Sequence, residues 1–503
     1  STSAAIEILG IGGNAVDAAI AANATQGVVA PETCGLGGDL FALVHRPGTR
    51  LPLALNASGP AGSNVDADVL LESEGKMPLF GRHAVTVPGC VAGWEALRSE
   101  LGTLPLERLL APAIRLATEG VVATEELRGS LERRGPEFAD QPIGAELMPD
   151  GKGPGLGSRV RRPSLAATLR RIADEGTSAF YAGAVAESIS TAVGGLITED
   201  DLAAFTPEWV EPLGLRVDDM TGWTMPPNTQ GYLTLASLGI LERLDPTDDD
   251  AVRTHREIEA YRSVAWERDR VLSDARFSPQ PAEALVATNL LDERAAAIDD
   301  DRSTPWPDEQ PGVGGTAYLS VIDSDGLGVS FIQSNFHGLG TSICAGPHGF
   351  LLHNRGGSFT LEPGHPNRLA AGKRPLHTLA PTIWTDGDRL TGILGTRGGH
   401  QQPQLLTQVA RRLWADGMEP DAAQDAPRWT IKEFGPDAPS RVLLEAEAGD
   451  AVAQGLRSRG HDVETVSPRS GGWGPISVIT VDESGLRSGA PDPRVRVSSA
   501  AAR

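Results

Sequence analysis

Apolar and polar positions alternate with two different periods along this chain, and the switches between them mark its elements. Residues 3–9 read as a helix ended by Gly10. Asn14 then has the character of an N-cap, with Asp17 three residues on as its capping-box partner. Residues 15–29 are apolar on nearly every face, as in a helix packed on both sides, and Pro31 closes them. A glycine loop, Gly35 to Gly38, leads into a strand at 40–44, and a second strand at 53–55 runs into a small-residue loop at 56–63. Residues 85–89 read as the end of a strand. Residues 91–118 read as helix with a break near Gly102–Pro105, and 125–163 as charged and irregular. Amphipathic helices are predicted at 164–175 and 252–275, a short one at 197–206 and an apolar one at 232–243 behind the stiff Met225–Thr229 loop. A strand pair is expected at 341–352, a Pro/Gly loop at 361–373 and a strand at 390–395. A helix begins near Pro403, a favoured first-turn residue.

The sharpest local signal is the stretch from Gly312 to Asn335. Two short β-rich runs flank Ser324-Asp325-Gly326, which is a hairpin pattern. A three-residue loop places Thr316 opposite Ser334, and a two-residue loop places it opposite Asn335. In either register Thr316 opens a strand across from a small polar residue, behind the permissive pair Gly314-Gly315. Cleavage of the Gly315–Thr316 bond would give Thr316 a free α-amine beside its own hydroxyl, a base and a nucleophile on one residue. A Thr opening a strand also occurs simply because β-branched residues favour strands. Residues 298–315, acidic and then Pro/Gly-rich and containing Trp306, have the composition of a linker in which a cut is tolerated.

Composition narrows the classes. The chain has 503 residues, 40% apolar, with 59 Gly and 37 Pro, a turn-rich α/β composition with ample core. A net charge of −22 argues against nucleic acid or an anionic membrane as partner. Three isolated cysteines, Cys34, Cys90 and Cys344, give neither a disulfide framework nor a zinc knuckle. Together with the lack of a transmembrane-length run or a signal peptide, they place the expectation in the cytoplasm. The chain opens on Ser1 rather than Met, which leaves room for leading residues. The Gly35–Gly38 loop lacks the spacing of a nucleotide cradle, and the histidines lack HExxH spacing, so neither a cofactor nor a metal is expected. The strand at 390–395 runs through Arg397-Gly398-Gly399 into a helix N-terminus. Free N–H groups there could hold an oxyanion, although a Gly-Gly tight turn has the same appearance.

Taken together, GGNAVDAAIAAN at 12–23, GLGGDLF at 35–41, VPGCVAGW at 87–94, MPPNTQG at 225–231, TAYLSVID at 316–323, GKRPLHTLAPT at 372–382, GTRGG at 395–399 and DAPRW at 425–429 resemble the γ-glutamyltranspeptidase family of N-terminal-nucleophile hydrolases, in order and over essentially the whole chain. The resemblance implies an α+β fold, a four-layer αββα sandwich. It also implies a proenzyme that cuts itself into a large subunit, 1–315, and a small subunit, 316–503, which stay together, with homodimerisation of the processed unit left open. Thr316 would be the nucleophile, Gly398 and Gly399 the oxyanion hole, and Ser334 the hydroxyl that supports the nucleophile. The substrate would be a small molecule.

The departures from the family pattern concern substrate. Ser58, in the Asn56–Pro60 loop, stands where typical members carry an Arg for the glutamyl α-carboxylate. Ser358 stands at the Asp of the α-amine clamp. The Asn of that clamp falls on Phe336, or on Asn335 if the register slips by one. His377-Thr378 replaces a Ser-Ser pair, and Ala317-Tyr318 follows the nucleophile in place of Thr-His. Losing these charge-assisted bonds argues against ordinary γ-glutamyl transfer. IQSNFHG, RPLHT and GGHQQPQ look more like the amidohydrolase branch. The cations near the expected pocket are Arg355, His377, Arg397 and His400, with His377, Thr378 or Arg397 expected to hold a substrate carboxylate; His337 and His353 read as structural. Some relatives in antibiotic pathways cleave a carbon–carbon bond with the same Thr, which is the alternative activity. A catalytically silent binding relative is a further alternative, opposed by the joint presence of Thr316, Ser334, Gly398 and Gly399.

Overall fold

The structure, a computed structural model, describes residues 1–503 apart from 279, 306–314, 433–440 and 470–472. The strands that build its centre are β1 (Asp39–His45), β2 (Leu53–Ala57), β3 (Glu208–Val210), β4 (Leu213–Val217), β5 (Met220–Thr224), β6 (Gly315–Ile322), β7 (Gly328–Phe336), β8 (Thr382–Asp386), β9 (Arg389–Thr396), β10 (Ile476–Val481) and β11 (Arg487–Ala490). They form two antiparallel sheets, in the orders β3-β2-β1-β7-β6 and β11-β10-β9-β8-β5-β4. The helices used below are α1 (Thr2–Gly10), α2 (Ala15–Val29), α3 (Cys90–Leu101), α4 (Leu106–Glu119), α5 (Glu125–Arg134), α6 (Pro163–Glu175), α7 (Tyr232–Leu241), α8 (Asp250–Ala265), α9 (Gln401–Trp414) and α10 (Asp450–Ser458).

The period-two pattern decides the layering. Phe41 and Leu43 of β1 and Ile332 of β7 face the other sheet, where they meet Ile383, Leu390 and Ile393. The alternate residues Leu40, Ala42, Val44, Val329 and Phe331 pack outward against α1–α4 and α6. On the far side Trp384, Leu394, Ile476 and Val478 pack against α7–α10. The result is the expected αββα sandwich, an α+β fold with a helical layer on each side of the paired sheets. Among the described residues no helix is long and apolar enough to cross a membrane.

Local signals hold where they are self-contained. The Asn14–Asp17 capping box is present, and α2 is buried along nearly its whole length. Other expectations are corrected. Residues 125–163 contain α5, because the Thr124 hydroxyl accepts from the Leu127 N–H and starts a helix that charge density had disguised. Residues 85–89 belong to no strand: Val85 is extended and Val87 N–H donates to Pro60 O, but Gly89 already takes the helical angles that lead into α3. The stretch 341–352 is not a strand pair but turns joined by a single bridge, Cys344 to Leu351. The helix expected over 252–275 ends at Ala265, with one separate turn at Arg268–Val271. Half of the linker ahead of Thr316, residues 306–314 with Trp306 among them, lies outside the described residues.

Candidate active site

Thr316 is buried near the start of β6, the edge strand of its sheet. The hairpin takes the three-residue-loop register. Asp323 N–H donates to Leu327 O, and the Asp323 carboxylate accepts from the N–H groups of Asp325, Leu327 and Ala15, the first residue of α2. Gly326 supplies the positive φ of 88° that closes the turn. The ladder pairs Ala317 with Gln333 and Gly315 with Phe336, and the bulge between them holds Thr316, whose hydroxyl reaches Ser334.

Ser334 is fully used. Its hydroxyl donates to Gly315 O at 2.6 Å, and its oxygen accepts from Phe336 N–H at 2.7 Å and from Thr316 Oγ1 at 3.4 Å. One donor and two lone pairs exhaust what a hydroxyl offers. Phe336 holds a φ of 72° to aim its N–H this way, a left-handed conformation that costs an aromatic residue about 1–3 kcal/mol.

The glycine pair comes to the same end of the sandwich. Tyr318, two residues after Thr316, lies on Gly395 of β9; a Cβ at Gly395 would sit 1.9 Å from Tyr318 Cε2. Beyond it, Gly398 and Gly399 adopt φ of 120° and 59°. Among the described residues neither of their N–H groups donates a hydrogen bond. Gln230 fixes the loop from behind, its amide donating to Gly399 O and Thr378 O, both at 2.9 Å.

The cation that dominates the site is Arg355, which the sequence places near the pocket without giving it a role. It is buried, its guanidinium lies 3.6 Å from the Phe336 ring centroid, and it donates to Ser358 Oγ and Thr378 Oγ1 at 3.2 Å each. Among the described residues no carboxylate lies within ion-pair distance, and its Nε has no partner. Burial pulls its pKa down to about 9 despite the Asp39 charge. Three residues expected at the substrate pocket, Phe336, Ser358 and Thr378, therefore meet around a cation that the sequence places nearby without a role.

The other candidates sort differently. His377 donates through Nε2 to Asp39 Oδ2 at 3.2 Å, with its ring edge-on to Phe41. Burial and then the Arg355 charge push its pKa down to about 3, so it is a neutral donor. Burial alone would raise the Asp39 carboxyl, but His353 and His377 hold it below its ordinary value. Ser58 is fully buried in a neutral network with Asn56 and Asn228, and its carbonyl accepts from Arg374 Nε. Asn335 packs its side chain over the Gly35–Gly38 loop, and its N–H donates to Thr33 O. Arg397 has a partner of its own: its guanidinium forms a two-point pair with Glu126 of α5, at 2.8 and 3.1 Å. His400 lies against Arg268, and burial followed by that charge keeps it neutral.

This arrangement brings together a threonine hydroxyl, a serine hydroxyl on the Gly315 carbonyl, two backbone N–H groups without an acceptor among the described residues and a buried guanidinium outside any ion pair. The chain matches the family Gamma-glutamyltranspeptidase over residues 1–502. It is 36% identical to the oxamate amidohydrolase proenzyme of Klebsiella pneumoniae subsp. pneumoniae, over 98% of this chain and 95% of that one. It is also 36% identical to the glutathione hydrolase-like YwrD proenzyme of Bacillus subtilis, over 97% and 94%. Its fold superposes on the crystal structure of cephalosporin acylase from Bacillus halodurans with a TM-score of 0.89 at 33% identity, covering 98% of this chain and 92% of that one. A family match of this extent, with relatives this similar from end to end, means that the chain belongs to the gamma-glutamyltranspeptidase family and is an N-terminal-nucleophile hydrolase.

Proposed function

We propose that this protein cuts its own chain between Gly315 and Thr316 and then hydrolyses an amide of a small acyl group that carries one carboxylate. The observation that carries the reading is the Ser334 hydroxyl, which bridges Gly315 O and Thr316 Oγ1. In the uncut chain Thr316 Oγ1 attacks the Gly315 carbonyl carbon. The carbonyl oxygen gains negative charge, which the Ser334 O–H meets. The C–N bond breaks, the Thr316 nitrogen takes the proton from Oγ1, and water hydrolyses the resulting ester. The pieces are a large subunit, 1–315, and a small one, 316–503, in keeping with relatives that are proenzymes.

The freed α-amine then takes the Oγ1 proton as Thr316 attacks a substrate amide. The N–H groups of Gly398 and Gly399 receive the oxyanion. The amine leaves with the proton, and water releases the acyl group from Thr316. The Arg355 guanidinium binds the acyl carboxylate by charge-assisted hydrogen bonds. The same cation opposes a γ-glutamyl group: the position at which the family clamps the α-ammonium is Ser358, whose hydroxyl already lies on Arg355. A substrate ammonium placed there would meet a like charge in a buried site. The resemblance to an oxamate amidohydrolase supports a small anionic acyl group.

The test is the chain itself. Purified protein should run as two pieces, the smaller beginning TAYLS by N-terminal sequencing, and Thr316→Ala should stay whole and inactive. A new N-terminus at another residue would remove Thr316 from the role.

A further inference from the structure

Away from Thr316, one set of side chains among the described residues has metal-binding chemistry. His255 and Glu259 lie four residues apart on α8 and so share a face of that helix. His461 comes from the turn after α10, just ahead of the short strand Val463–Val466. The three are buried, and each offers one ligand atom within 4.8 Å of the others; among the described residues this is the only such group. His255 Nδ1 lies 2.7 Å from His461 Nε2, which is 3.9 Å from Glu259 Oε1.

The surroundings orient two of the three ligands. His255 Nε2 lies 2.9 Å from the carbonyl oxygen of Asp299. A carbonyl only accepts, so Nε2 carries the proton and Nδ1 turns its lone pair toward His461 and Glu259. A backbone carbonyl behind the outer nitrogen is how metal-bound imidazoles are commonly fixed in tautomer and direction. Glu259 is held in the same manner: Oε2 accepts from Thr304 N–H at 2.9 Å and Oε1 from Arg262 at 3.2 Å. Each carboxylate oxygen keeps further lone-pair capacity. Two imidazoles and one carboxylate are a zinc donor set, and they do not suit calcium or magnesium, which take oxygen ligands. Arg262 beside Glu259 lowers the pull on a dication but leaves the donor set intact.

We propose that His255, Glu259 and His461 bind one zinc-type divalent ion. Binding needs a small adjustment, since two nitrogens at about 2.0–2.1 Å from a tetrahedral ion stand about 3.3 Å apart. Without an ion the pair is one hydrogen bond, His461 donating to His255. The site also fastens the segment that leads toward Thr316. Ser303 N–H donates to Arg459 O, Arg459 Nε donates to Asp300 O, and Arg256 pairs with Asp300, all at 2.6 Å. If the chain is cut at Thr316, which rests on the reading above, His255 and Glu259 belong to one piece and His461 to the other. The ion then ties the two pieces together.

The experiment uses the full chain. Metal content is measured by plasma mass spectrometry after expression with zinc and gel filtration. Chelator-stripped protein, shown to be folded by circular dichroism, is then titrated with zinc against a chromophoric competitor and with cobalt for visible d–d bands. About one zinc per chain is expected, together with a rise in melting temperature on zinc addition. Glu259→Gln and His461→Ala should each weaken zinc by at least about tenfold, while Thr316→Ala keeps it. Folded, stripped wild-type protein that takes up no zinc and gives no cobalt bands overturns the proposal and leaves the hydrogen-bonded pair. Zinc bound stoichiometrically by a chain that never splits upholds the site and removes its role between two pieces.

Discussion

Ser334→Ala tests the processing step at its narrowest point. The change deletes one oxygen with three contacts: Gly315 O at 2.6 Å, Phe336 N–H at 2.7 Å and Thr316 Oγ1 at 3.4 Å. Two separate losses follow. The first is kinetic. As Thr316 attacks, charge develops on Gly315 O, and the deleted hydroxyl is the donor that meets it. Removing a single donor of this kind costs about 10²–10³ in rate, or about 2.7–4 kcal/mol of barrier. The second is thermodynamic. Phe336 N–H is left buried without its acceptor, about 1–3 kcal/mol, and the left-handed Phe336 loses the contact that rewards its conformation. Ser334→Thr restores the hydroxyl and should process within about tenfold of wild type, since the lost donor accounts for the 10²–10³ effect. The assay is a time course of precursor conversion on a denaturing gel, with melting temperature measured on Thr316→Ala and on Thr316→Ala/Ser334→Ala so that cleavage does not confuse the comparison. Wild-type conversion by Ser334→Ala would refute the role of the hydroxyl. Equal slowing in folded Ala and Thr variants would assign the effect to packing at the bulge instead.

Three further outcomes are expected. Gly399→Val places a β-branched residue at a φ of 59° and should lower kcat by about 10²–10³ if that N–H serves the oxyanion; unchanged turnover would make the Gly-Gly only a turn. Arg355→Met removes two donors worth about 1.5–3 kcal/mol each toward a carboxylate. It should lower kcat/KM for an anionic acyl amide by at least about 10² while sparing a neutral amide of the same shape, and an equal effect on both would deny the anchor; wild type should in turn prefer the anionic amide over γ-glutamyl-p-nitroanilide. Glu32 is buried with Oε2 unpartnered, and burial raises its pKa from 4.5 to about 7. The folded state therefore holds a proton that the unfolded chain releases, so stability falls as pH rises from about 4.5 to 7, by about 3 kcal/mol in all. Glu32→Gln should flatten that part of the melting-temperature profile, and an unaltered slope would place the titration elsewhere.

What was legible in the sequence depended on the distance between cooperating residues. The capping box, the helix at 15–29 and the hairpin each draw on residues within one short stretch, so pattern alone reaches them. The Thr316–Ser334 pair belongs to this class because a hairpin register is fixed by its loop. Even so, two registers were open until Asp323 settled the matter by accepting three N–H groups, one of them from α2. The glycine pair was readable as a strand–turn–helix junction, but its nearness to Thr316 rests on Tyr318 filling the space that Gly395 leaves. The cations were where local reading failed. Arg397 has the better address, beside the Gly398-Gly399 pair, yet Glu126, 271 residues earlier, takes its guanidinium. Arg355 carries no motif.

Its importance comes from what surrounds it: an aromatic face from β7, one hydroxyl three residues on and another from the RPLHT loop. Each neighbour is neutral, so each can satisfy a donor without cancelling the charge. A buried guanidinium with no carboxylate in direct contact, only the more distant Asp39 charge, is costly to the fold, and an incoming carboxylate lowers that cost. On the proposed reading, the same three positions that make the site poor for a glutamyl ammonium make it good for an anion. Exchange of Ser358 for Asp would reverse the preference: the new carboxylate would pair with Arg355, close the anion site and bring back the family's acidic clamp residue. Ser358→Asp should therefore lose activity on an anionic acyl amide by about the same factor as Arg355→Met, while melting at a higher temperature, because the buried charge is now paired. Loss of activity with a lower melting temperature would mean that Arg355 is already balanced in the native fold and that its isolation is not what selects the substrate.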